Sequence, residues 1–152
     1  MYRKITRTLP VLAALLLGLA LQTATAHEFS KGDLTITHPY AFPSIGAARA
    51  GAVFLGIRNG GDSADALVAV EFAGAARSEL HTHIHQDGTM RMRPVEQIII
   101  PAGGEALLQP GGDHIMLMGL TAGLELESVH DLVLVFREAG RVEVQVHVEA
   151  RK

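Results

Sequence analysis

From residue 34 onward, apolar and polar positions alternate with period two, the spacing at which successive side chains of an extended strand face opposite ways. The last segment is clearest: Val142, Val144, Val146 and Val148 fall on one face, and Glu143, Gln145 and His147 on the other. Similar short runs occur at 34–37, 52–58, 67–72, 78–85, 95–100, 105–109, 114–118 and 132–137. Turn formers separate them: Asn59-Gly60-Gly61-Asp62, Asp87-Gly88, Pro101-Ala102-Gly103-Gly104, Pro110-Gly111-Gly112-Asp113 and Ala139-Gly140. No stretch offers an amphipathic helix with caps. Eight or nine short strands at this spacing predict one all-β domain, an antiparallel Greek-key β-sandwich. No second domain, repeat or low-complexity segment stands out.

The beginning of the chain breaks the pattern. Arg3, Lys4 and Arg7 precede an unbroken apolar or glycine run over residues 11–21, and Ala24-Thr25-Ala26 comes next. A basic start, an apolar centre and a small-x-small end make residues 1–26 a cleavable secretory signal. The run is too short to cross a bilayer, which takes about twenty apolar residues. The expectation is a mature domain spanning 27–152, exported to the periplasm, with no membrane insertion after cleavage. Losing three basic residues with the signal takes the formal net charge from −3 to −6.

Composition narrows the chemistry further. The 152 residues are 48% hydrophobic and 19% charged, which suits one globular domain and excludes whole-chain disorder. There is no cysteine. That excludes a disulfide scaffold, a cysteine-ligated zinc or iron–sulfur site, a CxxC redox pair and a blue-copper centre. It also leaves no residue for lipid attachment at a cysteine. The acidic mature chain with no basic cluster argues against nucleic acid as a partner.

The remaining chemistry is concentrated. All methionines after Met1 lie between residues 90 and 118, as Met90, Met92, Met116 and Met118. On strands, each Met-x-Met pair presents both sulfurs on one face. Met90 and Met92 oppose Arg91 and Arg93. His114, Met116 and Met118 oppose the core-facing Ile115 and Leu117. Glu79, His81, His83 and His85 oppose Leu80, Thr82 and Ile84. Core filling accounts for a lone strand methionine. It does not account for four Met and four His crowding one quarter of the chain while the other strands use Val, Leu and Ile. Thioether sulfur is soft and uncharged and selects Cu(I) over zinc, calcium or magnesium; imidazole suits copper as well. A neutral two-His, two-Met set holds a monovalent ion without thiolate and exchanges it readily, which favours delivery over catalysis.

At these residues the sequence resembles the periplasmic copper chaperones of the PCuAC family, with their cupredoxin-like fold. It satisfies their H-x10-M-x21-H-x-M signature with His81, Met92, His114 and Met116. The surroundings agree in Gly88-Thr89-Met90-Arg91-Met92-Arg93-Pro94-Val95 and in the stretch 110–120. The resemblance covers residues 34–148. It implies that His81, Met92, His114 and Met116 bind one Cu(I), for delivery towards the Cu(A) site of cytochrome c oxidase. The acceptor would be its subunit II or a thiol-bearing copper chaperone. The sequence departs from the family at Tyr40, where members often carry Trp. It also departs near Glu127-Ser128, where members often have Gly-Asp. No His- and Met-rich tail follows the last strand, so no second copper site is expected there.

His83 and His85 share the face of His81 and read first as solvated polar residues, and second as alternative ligands or a transient Cu(II) site. Met90 and Met118 would shield the ion from water or simply pack. His27 would become the mature N-terminus, where amine and imidazole together can chelate Cu(II), although Phe29 at the third position removes the common tripeptide motif. His38 before Pro39 reads as structural, His130 as a turn residue, and His147 as an exposed strand residue. No catalytic constellation is evident: Ser78 and Ser128 lack a nucleophile-elbow setting, and the carboxylates are scattered. The expectation is therefore a monomeric binding protein, not an enzyme. Its rivals are a copper-buffering or resistance protein, a copper enzyme using His81, His83 and His85, and an adhesion-type sandwich without metal.

Overall fold

The computed structural model describes residues 28–44 and 49–151, and among these it is all-β. The strands are β1 (Glu28–Lys31), β2 (Leu34–Ala41), β3 (Ala50–Asn59), β4 (Asp65–Glu71), β5 (Ala75–Gln86) and β6 (Thr89–Pro94). They continue as β7 (Ile98–Ile100), β8 (Glu105–Leu108), β9 (His114–Leu120), β10 (Val129–Phe136) and β11 (Gly140–Val148). Their order across the sheet is β6-β5-β9-β3-β2-β11-β10-β4-β7, with β1 added to β2 and β8 to β3. Sequence neighbours are thus often separated in space, as in the pairing of β5 with β9 and of β4 with β10.

The strand periodicity is realised directly. Val142, Val144, Val146 and Val148 are buried, as are Ile115 and Leu117 on β9 and Ile36 on β2. Full burial of each such side chain contributes roughly 1.5–3 kcal/mol. A one-residue slip of β11 would turn all four valines to solvent, so burial fixes its register.

Several features depart from the expectation, among them an added strand at Glu28–Lys31 and a partly buried His147. The sheet is mixed rather than purely antiparallel, because β11 runs parallel to β2 over His147↔Tyr40 and Val148↔Ala41. Strands so far apart in sequence are not joined by a hairpin, so nothing in their connection imposes opposite directions. The run at 95–100 forms a strand only at Ile98–Ile100, while the preceding segment becomes β6, exposed on both faces. His130 lies in β10, not in a turn; it shares a hydrogen bond with Ser128 Oγ and packs edge-on to Phe72.

Two turns set the positions of the histidine- and methionine-bearing strands. Asp87 and Gly88 both have positive φ, at 52° and 74°, the geometry of the two-residue hairpin that Asp-Gly favours. This turn sets the β5/β6 register from Gln86↔Thr89 back to His81↔Pro94. Before β9, Gln109 and Asp113 close the 109–113 turn, with Gly111 at φ 82°. At a separate point, Asp65 opens β4 while only 8% exposed. Its carboxylate accepts backbone N–H bonds from Ala66 (2.7 Å), Glu138 (2.9 Å) and Ala139 (3.0 Å), tying β4 to the β10–β11 turn. Burial alone would raise its pKa, but these amides and that of Arg137 outweigh it and hold the carboxyl below its ordinary value.

Candidate metal centre

Strands β6, β5, β9 and β3 are adjacent, and their pairings put every candidate among the described residues on one outer face. His81 lies across from His114, and Glu79 from Met116. His83 lies across from Met92, and His85 from Met90. On β3, Ala52 and Ala50 stand opposite Met116 and Met118. The inward positions of the same strands, Leu80, Ile115, Leu117 and Val53, are buried in the core. The expected division into core-facing and outward-facing residues is therefore the observed one.

On that face the side chains converge in part. His83, Met92, His114 and Met116 line an open cavity of about 320 Å³, closed by Phe54 and by the small residues Ala50, Gly51, Ala52 and Gly111 with Pro110. His81 sits beside it, its ring centroid 5.8 Å from that of His114; His83 is at 5.1 Å. The arrangement is graded rather than uniformly shallow. His114 is 2% exposed, whereas Met92, on the edge strand, is 52% exposed. His85 and Met90 form the outermost pair, at the exposed end of the hairpin. Met118 is turned towards Arg77, whose Nη2 is 3.7 Å from its sulfur.

Hydrogen bonds assign the ring nitrogens. A carbonyl or carboxylate can only accept, so the nitrogen facing it carries the proton, and in a neutral imidazole the other nitrogen keeps its lone pair. His114 Nδ1 donates to the Gly112 carbonyl at 2.9 Å, and His83 Nδ1 donates to the same oxygen at 3.2 Å. Their lone pairs are then on Nε2. His81 is reversed: its Nε2 meets Glu79 Oε2 at 3.0 Å, leaving Nδ1 buried without a partner. A buried unpaired polar atom costs about 1–3 kcal/mol, a penalty that a bound cation would remove. Burial lowers the His114 pKa, with further lowering from His83 and His81, while the Gly112 carbonyl and Asp113 act the other way. His114 therefore stays neutral and able to ligate over a wider pH range.

The donor set fits a soft monovalent ion. Among the described residues no three His, Asp or Glu side chains converge as a metal site. The imidazoles of His81 and His83 both lie within 6 Å of His114, and the thioethers of Met92 and Met116 line the same cavity as His83 and His114. The orienting role of Glu79 was not read from the sequence, although a Glu-x-His pair on a strand necessarily places carboxylate and imidazole on one face. The Gly112 carbonyl had no residue-type signal, because any residue carries one. His27 and the segment 1–26 lie outside the described residues.

Comparisons with known proteins agree with this architecture. Residues 34–148 match the family described as LpqE-like, a lipoprotein family by name. A curated relative from Leifsonia xyli subsp. xyli, Lxx21020, also carries a lipoprotein name. It is 33% identical over 99 residues, which cover 64% of this chain and 60% of that protein. The match thus spans less than two thirds of that relative. Among solved structures, the apo PCuAC domain from PmoF1 superposes with a TM-score of 0.72 at 25% identity, covering 82% of this chain and 100% of that one. The Cu(I) form of DR1885 from Deinococcus radiodurans gives 0.60 at 26% identity, over 87% of each chain. The copper-bound PCuAC domain from PmoF2 gives 0.70 at 23% identity, over 82% and 99%, and shares the cupredoxin-like β fold.

Proposed function

Because the chain belongs to the LpqE-like family, and its fold is that of PCuAC domains, two of them solved with copper, we propose that it is an exported copper chaperone. In this reading it takes one Cu(I) per chain as cargo, through His81 Nδ1, His114 Nε2 and the sulfurs of Met92 and Met116. It works in the periplasm as a binding protein rather than an enzyme. The observation that carries the reading is the buried, partnerless His81 Nδ1 beside His114, with two thioethers on the same face. All four ligands are neutral, so no proton need leave a thioether or a neutral imidazole for copper to bind.

Release uses the same groups. Glu79 and the Gly112 carbonyl hold the imidazoles in their ligating orientation, while Met92 sits on an exposed edge strand. An incoming ligand joins the ion there before the protein's own ligands depart. The receiver proposed is subunit II of cytochrome c oxidase, at its Cu(A) site, or a thiol-bearing copper chaperone. Copper buffering without a dedicated receiver is the alternative, and transfer to purified subunit II separates the two.

The test is a Cu(I) titration against a competing chelator, on the wild type and on Met92→Leu with Met116→Leu. Leucine keeps the volume and deletes the sulfur, so lost affinity reports coordination rather than packing. One ion per chain is expected, with affinity lower by at least about a hundredfold in the double variant. Equal affinity in the two proteins removes the ligand assignment.

A further inference from the structure

The open cavity that three of the proposed ligands line, Met92, His114 and Met116, is completed by His83, not by His81. The Asp87-Gly88 hairpin places His83 directly across from Met92, and gives His81 Pro94 instead. The His83 ring is also the nearer of the two to His114, at 5.1 Å against 5.8 Å. Two imidazoles at about 2.0 Å from one ion, at a tetrahedral angle, hold their ring centroids about 5 Å apart. One carbonyl, that of Gly112, takes the Nδ1–H of both His83 and His114, so both rings in their neutral forms keep a free Nε2.

His81 contrasts at each point. Its side chain is 13% exposed, it lies outside the cavity lining, and its lone pair is on the buried Nδ1. Resting on the chaperone reading, we infer that the centre has two overlapping positions for Cu(I). In the inner one, His81 Nδ1 joins His114, Met116 and Met92. In the outer one, His83 Nε2 replaces His81 while the other three stay. The Cu–N bond to His81 breaks as that to His83 forms; both imidazoles are neutral, and no electron or proton moves. The outer position faces the cavity where Ala50 and Ala52 leave room opposite the methionines, and it is from there that an acceptor takes the ion.

Storage and hand-over then depend on different histidines, which mutation separates. Cu(I) affinity, and the bimolecular rate of transfer to a chelating acceptor, would be measured for the wild type, His83→Gln and His81→Gln. His81→Gln is expected to lose affinity about a hundredfold. His83→Gln should lose only about threefold in affinity and about tenfold in transfer rate. Transfer from His83→Gln at the wild-type rate overturns the inference, and so does a loss of affinity equal to that of His81→Gln. Nitrogen-15 imidazole spectra of the wild type give a check independent of variant folding. The His83 Nε2 resonance should move on Cu(I) addition while Nδ1 stays protonated, and an unmoved Nε2 contradicts the outer position. A wild-type protein that takes up no Cu(I) overturns the chaperone reading together with this one.

Discussion

Asp65 and the His81–His114 pair are both polar groups sunk into a β-sheet, and the fold treats them in opposite ways. Asp65 receives three amide donors within 3.0 Å, from its own strand and the β10–β11 turn. Asn59, also buried, spends its amide on Ser63 and its carbonyl on Gly61. Around the histidines, protons are directed outward, to Glu79 and to the Gly112 carbonyl, and lone pairs are left over. A saturated buried group serves the fold alone, because every interaction it can make is already made. A lone pair kept buried and unpaired is a cost to stability that a bound cation offsets.

Mutating each side separates the two. Asp65→Ala strips three backbone amides of their acceptor and should destabilise the protein by about 3 kcal/mol. Urea unfolding would register this as a lower midpoint at unchanged slope. Cu(I) affinity should stay within about twofold, since the sites share no partner. Affinity that fell with stability would mean that the two regions are coupled.

Glu79→Gln acts on the other side. It weakens the acceptor that directs the His81 proton, and Cu(I) affinity should fall about tenfold, equivalent to about 1.4 kcal/mol. The urea midpoint should hardly move, because the pair is partly solvated. A lower midpoint with unchanged affinity would make Glu79 structural.

Acid should distinguish the saturated site. The Asp65 carboxyl is held below its ordinary pKa, so its contribution to stability is complete above the unfolded value, about 4. That contribution disappears as pH falls through the lower folded value. The stability difference between wild type and Asp65→Asn should therefore narrow below pH 4, and a difference constant down to pH 2 would contradict it. The smallest effect is expected at Met90, 47% exposed and paired with His85 at the hairpin end. Met90→Leu should change Cu(I) affinity by less than about threefold, against a much larger loss for Met92→Leu.

Much of this was legible in the residues. Period-two alternation gave β9 and β11 their faces, and Asp-Gly marked the hairpin that joins β5 to β6. The four signature residues do share one face. What the alternation did not carry was register. The pairing of His83 rather than His81 with Met92 depends on the hairpin having two loop residues, and the pairing of His81 with His114 joins strands far apart in sequence. The parallel β2–β11 contact was hidden for the same reason. The Gly112 carbonyl and the orphaned His81 nitrogen are properties of atoms rather than residue types, and they emerge only once the strands are placed.

The most direct measurement is X-ray absorption at the copper edge on the Cu(I)-loaded wild-type protein. Two sulfur and two nitrogen scatterers around the ion are the expected result. A sphere of nitrogen and oxygen alone, without sulfur, would contradict a thioether-ligated cuprous site.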